Sequence, residues 1–184
     1  MRIVSGSHKS KRINAPKNLP VRPTTDMAKE GLFNILNNRY YFNEIRVLDL
    51  FSGTGNIAYE FASRGTTHIL CVDKNYNCVC FIKDMAQELN FNAIETVQID
   101  SFKFLSHHDK VYDIIFADPP YEMNNLKELI TIVFEKKLLT QEGTLILEHS
   151  KEYDFSKHSF FIEKRRYGNV NFSFFQWENE SEKF

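Results

Sequence analysis

An α/β fold with a mostly parallel sheet and helices on both faces is predicted by three observations. Short, β-branched apolar runs recur at 45–51 (IRVLDLF), 68–73 (HILCVD), 94–100 (IETVQID), 112–118 (YDIIFAD) and 143–149 (GTLILEH). Longer segments with helical periodicity lie between them, the alternation of βαβ units around a buried sheet. The alternation then breaks at 157–178, where two aromatic runs flank Tyr167-Gly168-Asn169 and read as an antiparallel hairpin closing the sheet edge.

Size and composition agree with one globular domain. The chain has 184 residues, 42% hydrophobic and 26% charged, enough to bury a sizeable core. No apolar run approaches the roughly 18 residues of a membrane span, and the basic N-terminus has no apolar signal segment, so a cytoplasmic protein is expected. Cys71, Cys78 and Cys80 form no even framework and read as reduced thiols, with no metal site expected.

Net charge is −1, but it is unevenly spread. Residues 1–30 hold seven cations (Arg2, Lys9, Lys11, Arg12, Lys17, Arg22, Lys29) against Asp26 and Glu30, a net +5 that leaves −6 for the rest. A basic arm on an acidic body is the asymmetry of a chain that docks a polyanion through one end. Residues 1–24 are therefore read as a basic arm or hairpin, 25–177 as the main domain and 178–184 as a frayed tail.

In chain order, a helix is expected after Arg22-Pro23, capped by Thr24, Thr25 or Asp26, with Ala28, Leu32, Ile35 and Leu36 facing inward. The first strand then runs through Asp49 into the turn Phe51-Ser52-Gly53-Thr54-Gly55, where Gly53 and Gly55 permit torsions and close approaches a Cβ would obstruct. In open α/β sheets ligands bind at such carboxyl ends. The second strand closes on Asp73, whose carboxylate suits a ribose diol. The third closes on Asp100-Ser101, a carboxylate and hydroxyl able to hold an adenine amino group. Asn75 should cap the next helix, which turns Val79, Ile82, Ala86 and Leu89 inward; a later helix does the same with Leu126, Leu129, Ile130 and Val133. The fourth strand ends in Asp118-Pro119-Pro120-Tyr121, a rigid acid–aromatic wall.

The spacing DLFSGTG, VD, D, DPPY resembles class I S-adenosylmethionine-dependent methyltransferases acting on exocyclic amines. With RIVSG, RPTTDMAKEGLFNIL, SRG and LEHS added, the chain from about Arg2 to Trp177 resembles the bacterial 16S rRNA guanine-N2 methyltransferase family (RsmD). The resemblance implies a Rossmann-like, seven-stranded sheet with a C-terminal antiparallel hairpin, S-adenosylmethionine as methyl donor and no metal. It implies 16S rRNA or an assembling small subunit as partner, and a monomer is favoured. It places Asp49, Phe51, Gly53, Gly55, Asp73, Asp100 and Ser101 at the cofactor. Asp118, Pro119, Pro120 and Tyr121 fall at the reacting amine, and Arg22, Thr24, Thr25, Asp26, Lys9, Lys11 and Arg12 on RNA. Two departures stand out. Gly31 lowers helicity by up to about 1 kcal/mol relative to Ala, and Lys29 stands where the family often has the planar fork of arginine.

The chemistry explains the wall. A guanine amine is a poor nucleophile because its lone pair is delocalised into the ring. Asp118 and the Pro119 carbonyl can each accept one amine hydrogen, favouring the pyramidal nitrogen of the transition state. The two prolines hold that carbonyl, and Tyr121 offers a stacking face worth roughly 1–3 kcal/mol per base. Competing acceptors are adenine N6 or a glutamine amide, and a non-catalytic ribosome-assembly module is the other class. The basic hairpin cluster Lys164, Arg165, Arg166 and Tyr167 could add phosphate contacts or simply be a solvated edge; Glu148-His149 reads as structural.

Overall fold

The computed structural model describes residues 1–16, 19 and 24–178. Among the described residues five α-helices and seven strands follow one another: α1 (Asp26–Asn37), β1 (Arg46–Leu50), α2 (Asn56–Ser63), β2 (His68–Asp73), α3 (Tyr76–Glu88), β3 (Ile94–Gln98), α4 (Ser101–His107), β4 (Tyr112–Ala117), α5 (Leu126–Glu135), β5 (Leu139–His149), β6 (Phe161–Tyr167) and β7 (Val170–Phe175). They form one sheet in the order β3-β2-β1-β4-β5-β7-β6, parallel except where β7 runs antiparallel to both its neighbours. The hairpin inserts its second strand beside β5 and leaves β6 as the edge. The order reverses between β1 and β4, which opens a crevice at their carboxyl ends.

Strand alternation divides the core. Val47, Ile114 and Phe116 point to one face, against α1, α2 and α3; Leu48, Leu50, Ile115 and Ala117 point to the other, against α4 and α5. The helix caps work as the side-chain types require. Thr25 Oγ1 accepts from the Ala28 amide (3.3 Å), and Asn75 Oδ1 accepts from the Asn77 and Cys78 amides (2.9 and 3.2 Å). Two inward faces shift from expectation. Cys78 rather than Val79 is buried on α3, and on α1 Phe33 and Lys29 are buried while Ile35 is only partly so.

The N-terminal segment packs onto this body. Arg2 and Arg12 form an antiparallel bridge, and Ile3 and Ile13 enter the core. Its anchor is Lys29, 1% exposed, whose Nζ donates to Arg2 O (2.5 Å) and Asn56 Oδ1 (2.8 Å) and lies 3.6 Å from Glu60 Oε2. Glu60 is fully buried and accepts from the Val4 and Ser5 amides and Arg64 Nε. Three acceptors spread around one point suit a tripodal ammonium rather than a planar fork, which accounts for lysine here. Gly31 has its own reason: a Cβ there would lie 2.1 Å from Cε1 of Tyr167, so its absence lets the hairpin tip lie against α1.

Among the described residues no helix is long and apolar enough to cross a membrane, and no group of three His, Cys, Asp or Glu is placed to hold a metal. Of the tail expected at 178–184, all but Glu178 lies outside the described residues.

Candidate active site

The carboxyl end of β1 turns sharply. Phe51 takes φ 57°, a left-handed conformation uncommon for an aromatic residue, followed by Gly53 at 54° and Gly55 at 77°. The turn is stitched by Gly55 N donating to Ser52 O (2.8 Å) and Ser52 Oγ to Asp49 O (2.6 Å). Gly55 has two reasons to be glycine: its φ, and a Cβ position only 2.9 Å from the Tyr59 ring. Asp73 at the end of β2 ties into this turn, accepting Gly53 N at Oδ2 and Asn75 N at Oδ1, both at 2.8 Å. Each of those oxygens keeps a second acceptor position, enough for the two hydroxyls of a ribose.

Asp49 lies deeper. It is 2% exposed, and its Oδ2 has no hydrogen-bond partner among the described residues. Burial, then the charge of Asp73, pushes its carboxyl from 3.8 up to about 8, opposed by the Ala58 amide. A buried carboxyl with one oxygen left unpartnered is the complement of a ligand cation. Together with the diol-ready Asp73 and the apolar Phe51, Ile57 and Phe116, it fits a nucleoside carrying a cationic amino-acid tail.

The cavity holding these groups has a volume of about 330 Å³. Asp100 and Ser101 line it too, but β3 stops at Gln98 and Asp100 is the N-cap of α4. Its Oδ1 accepts from the Phe102 and Lys103 amides at 3.0 and 3.1 Å. Asp118, Pro119, Pro120 and Tyr121 form the opposite wall. The loop is closed by Met123 N donating to Pro120 O (2.9 Å) and by Tyr153 Oη donating to Met123 O (2.8 Å), while Tyr121 remains 53% exposed.

Asp118 does not act alone. Burial first, then the charges of Glu148 and Asp49, raise its carboxyl well above the usual range. Glu148, 3% exposed at the end of β5, is itself pushed up to about 7 by burial, opposed by the Thr24 hydroxyl that donates to its Oε2 at 2.8 Å. The Glu148 charge is thus one of those that favour the protonated form of Asp118. Thr24 is positioned in turn by Asn56, whose Nδ2 donates to its carbonyl oxygen (2.9 Å).

Of the expected site residues, Asp49, Phe51, Gly53, Asp73, Asp100, Ser101, Thr24 and the Asp118–Tyr121 wall line one cavity, and Gly55 sits in its turn. Thr25 caps α1, and Asp26 pairs with Arg2 (3.1 Å). Lys11 reaches Glu88 (3.4 Å), whereas Lys9 and Arg12 are exposed on the arm. The arm's charge is thus partly met by the body's own acids. Arg22 lies outside the described residues. Sequence reasoning missed the part Glu148 and Asn56 play here. The signal for Glu148 was an acid at a buried strand end, as for Asp73. His149 beside it is a satisfied core residue, its ring nitrogens paired with Ser150 O (2.8 Å) and Ser173 Oγ (2.7 Å).

Residues 1–176 match the family model described as "Conserved hypothetical protein 95". The chain is 33% identical over 158 residues to the Bacillus subtilis (strain 168) protein named "Putative rRNA methyltransferase YlbH", covering 84% of this chain and 85% of that one. It is 29% identical over 148 residues to "Ribosomal RNA small subunit methyltransferase D" of Buchnera aphidicola subsp. Baizongia pistaciae, covering 80% and 75%. The solved structure of Escherichia coli yhhF superposes with a TM-score of 0.84 at 23% identity over 97% of this chain and 98% of that one, a likeness of fold. The crevice of strand-end acids and its Asp-Pro-Pro-Tyr wall therefore belong to a member of the Conserved hypothetical protein 95 family, the RsmD family of class I methyltransferases.

Proposed function

We propose that this protein uses S-adenosylmethionine to methylate the exocyclic N2 amine of a guanine in small-subunit ribosomal RNA. The carrying observation is that the Asp118-Pro119-Pro120-Tyr121 wall adjoins, in one cavity, the orphaned carboxyl of Asp49 and the diol-ready carboxylate of Asp73. The relatives' names support the RNA class, and the wall's leading Asp favours guanine over the adenine or glutamine acceptors, whose enzymes more often place Asn there.

When bound, the cofactor supplies an activated methyl group. Asp49 balances the cationic amino-acid end, Asp73 holds the ribose hydroxyls, and Asp100 with Ser101 faces the adenine. Asp118 accepts one hydrogen of the target amine and the Pro119 carbonyl the other, which turns the nitrogen lone pair out of conjugation as the new bond forms. Tyr121 stacks on the base and offsets the stacking lost when it leaves its neighbours. Glu148 shares the proton burden of Asp118 and holds Thr24 at the rim. Lys9, Arg12 and Arg22 meet phosphates along the approach.

Tritiated methyl transfer to deproteinised rRNA, to assembled small subunits and to duplex DNA tests this reading, with nucleoside mass spectrometry of the product. N2-methylguanine in the rRNA or the subunit is expected. Transfer confined to DNA, or to an adenine, overturns it.

A further inference from the structure

A second cavity, about 290 Å³, is lined by Tyr121, Ser150, Lys151, Glu152, Arg166, Asn169 and Asn171. It lies over the other half of the sheet. The first cavity sits over the carboxyl ends of β1, β2 and β4. This one continues past the carboxyl end of β5 to the β6–β7 turn, where His149 is in register with Asn171 and Asn171 with Arg166. Tyr121 lines both cavities and is the residue they share.

Strand alternation decides which hairpin cations can serve this groove. Arg165 and Glu163 share one face of β6 and pair with each other, Arg165 Nε donating to Glu163 Oε2 at 2.8 Å, and Arg39 joins the same carboxylate. Those cations are matched within the protein. Arg166 alternates to the opposite face and lines the cavity, and its Nε donates to Gly168 O (2.8 Å), which ties the guanidinium to the turn. Lys151 lines the same cavity, and Glu152 is the one acid among its described lining residues. Asn171 is held by donating to His149 O (3.3 Å), which leaves its amide oxygen as an acceptor.

We infer that this groove binds the nucleotide next to the target guanine in single-stranded RNA, with Arg166 and Lys151 on its phosphate and Tyr121 separating the two bases. The inference rests on the RNA reading above and adds a site to it. A tethered guanidinium and an ammonium lining one groove suit a phosphodiester better than a neutral ligand. Polar amides behind them suit a base edge. Continuity through one aromatic ring suits a chain whose successive bases part around it.

The test uses a fluorescein-labelled, single-stranded oligouridine of about ten nucleotides with one central guanine. Its binding is followed by anisotropy across a salt series for the full-length wild type and for Arg166→Ala, Lys151→Ala and the remote control Lys83→Ala. All three side chains are exposed, and thermal melting checks that each variant folds. Arg166→Ala and Lys151→Ala are each expected to weaken binding about tenfold and to flatten the slope of log K against log salt by about 0.7, one phosphate contact on a single strand. Lys83→Ala should match the wild type, and S-adenosylhomocysteine affinity should be the same in all four proteins. Wild-type binding with unchanged affinity and slope in both groove variants overturns the groove alone. A wild type that does not bind the oligonucleotide also overturns the groove, while the RNA reading is decided separately by the methyl-transfer assay above.

Discussion

Replacing Asp49 by Asn removes a buried ionisable group from the crevice beyond β1 while keeping its shape. The wild-type carboxyl is raised from 3.8 to about 8, chiefly by burial. Between those values the folded protein holds a proton that the unfolded chain has released, so this residue's contribution to stability falls as pH rises and levels off above about 8. The slope is about 1.4 kcal/mol per pH unit well below 8. From pH 6 to pH 8 the loss integrates to roughly 2 kcal/mol, or about 4–8 °C of melting temperature for a chain of this length. The neutral Asn lacks this dependence, while Asp118 and Glu148 titrate in both proteins. Melting curves of both proteins at pH 6, 7 and 8 should therefore diverge, Asp49→Asn falling less. Calorimetry adds a second reading. S-adenosylhomocysteine, which keeps the cationic amino group, should bind the variant roughly 10- to 100-fold more weakly, the loss of one charge-assisted hydrogen bond. Its binding to the wild type should release protons near neutral pH. Parallel melting curves and equal affinities would refute the assignment of Asp49 as the cation's partner.

Three further outcomes are expected. Asp118→Ala should lower methyl transfer at least about a hundredfold yet leave S-adenosylhomocysteine affinity within error, and retained activity would place the amine acceptor elsewhere. Glu148→Gln keeps an acceptor for Thr24 but removes a charge beside Asp118. The rising limb of kcat/KM with pH should then move to lower pH, and an unmoved limb rejects the coupling. Gly31→Ala gains up to about 1 kcal/mol of helix propensity but meets the Tyr167 ring, for a net loss of about 1–2 kcal/mol in denaturant melts. In a Tyr167→Ala background the same change should be neutral or stabilising, and equal effects in both backgrounds would remove the clash as the cause.

The sheet was legible where apolar runs were short and sharply bounded. β2 is found at the expected residues, and β4 differs by one. β5 begins four residues earlier than expected because Thr140, Gln141 and Glu142 break its apolar run, and a register irregularity between Tyr112 and Ile114 accommodates them. α4 escaped notice. At seven residues, after a strand that ends early, it shows too few turns for a periodicity to register. The line of acids could be read because each stands within two residues of a strand's carboxyl end, which is a local property. The Thr24–Glu148 bond spans 124 residues, and the Lys29–Glu60 pair joins two helices that sequence treats as independent. Such pairings follow from sheet order and helix packing. A lysine and a glutamate in amphipathic stretches otherwise read as solvated surface.

The buried lysine on α1 changes how the amino-terminal segment should be regarded. Asn56 grips that lysine with its oxygen and the rim threonine with its nitrogen, so one side chain joins the mooring of the arm to the mouth of the crevice. Removing the first dozen residues would strip the lysine and its glutamate of backbone partners and loosen Thr24 along with them. Weak transfer by such a truncated protein would report a slackened pocket as much as a missing handhold for a polyanion. Pull on that segment from a bound strand would, by the same linkage, be felt at the threonine and the glutamate it holds.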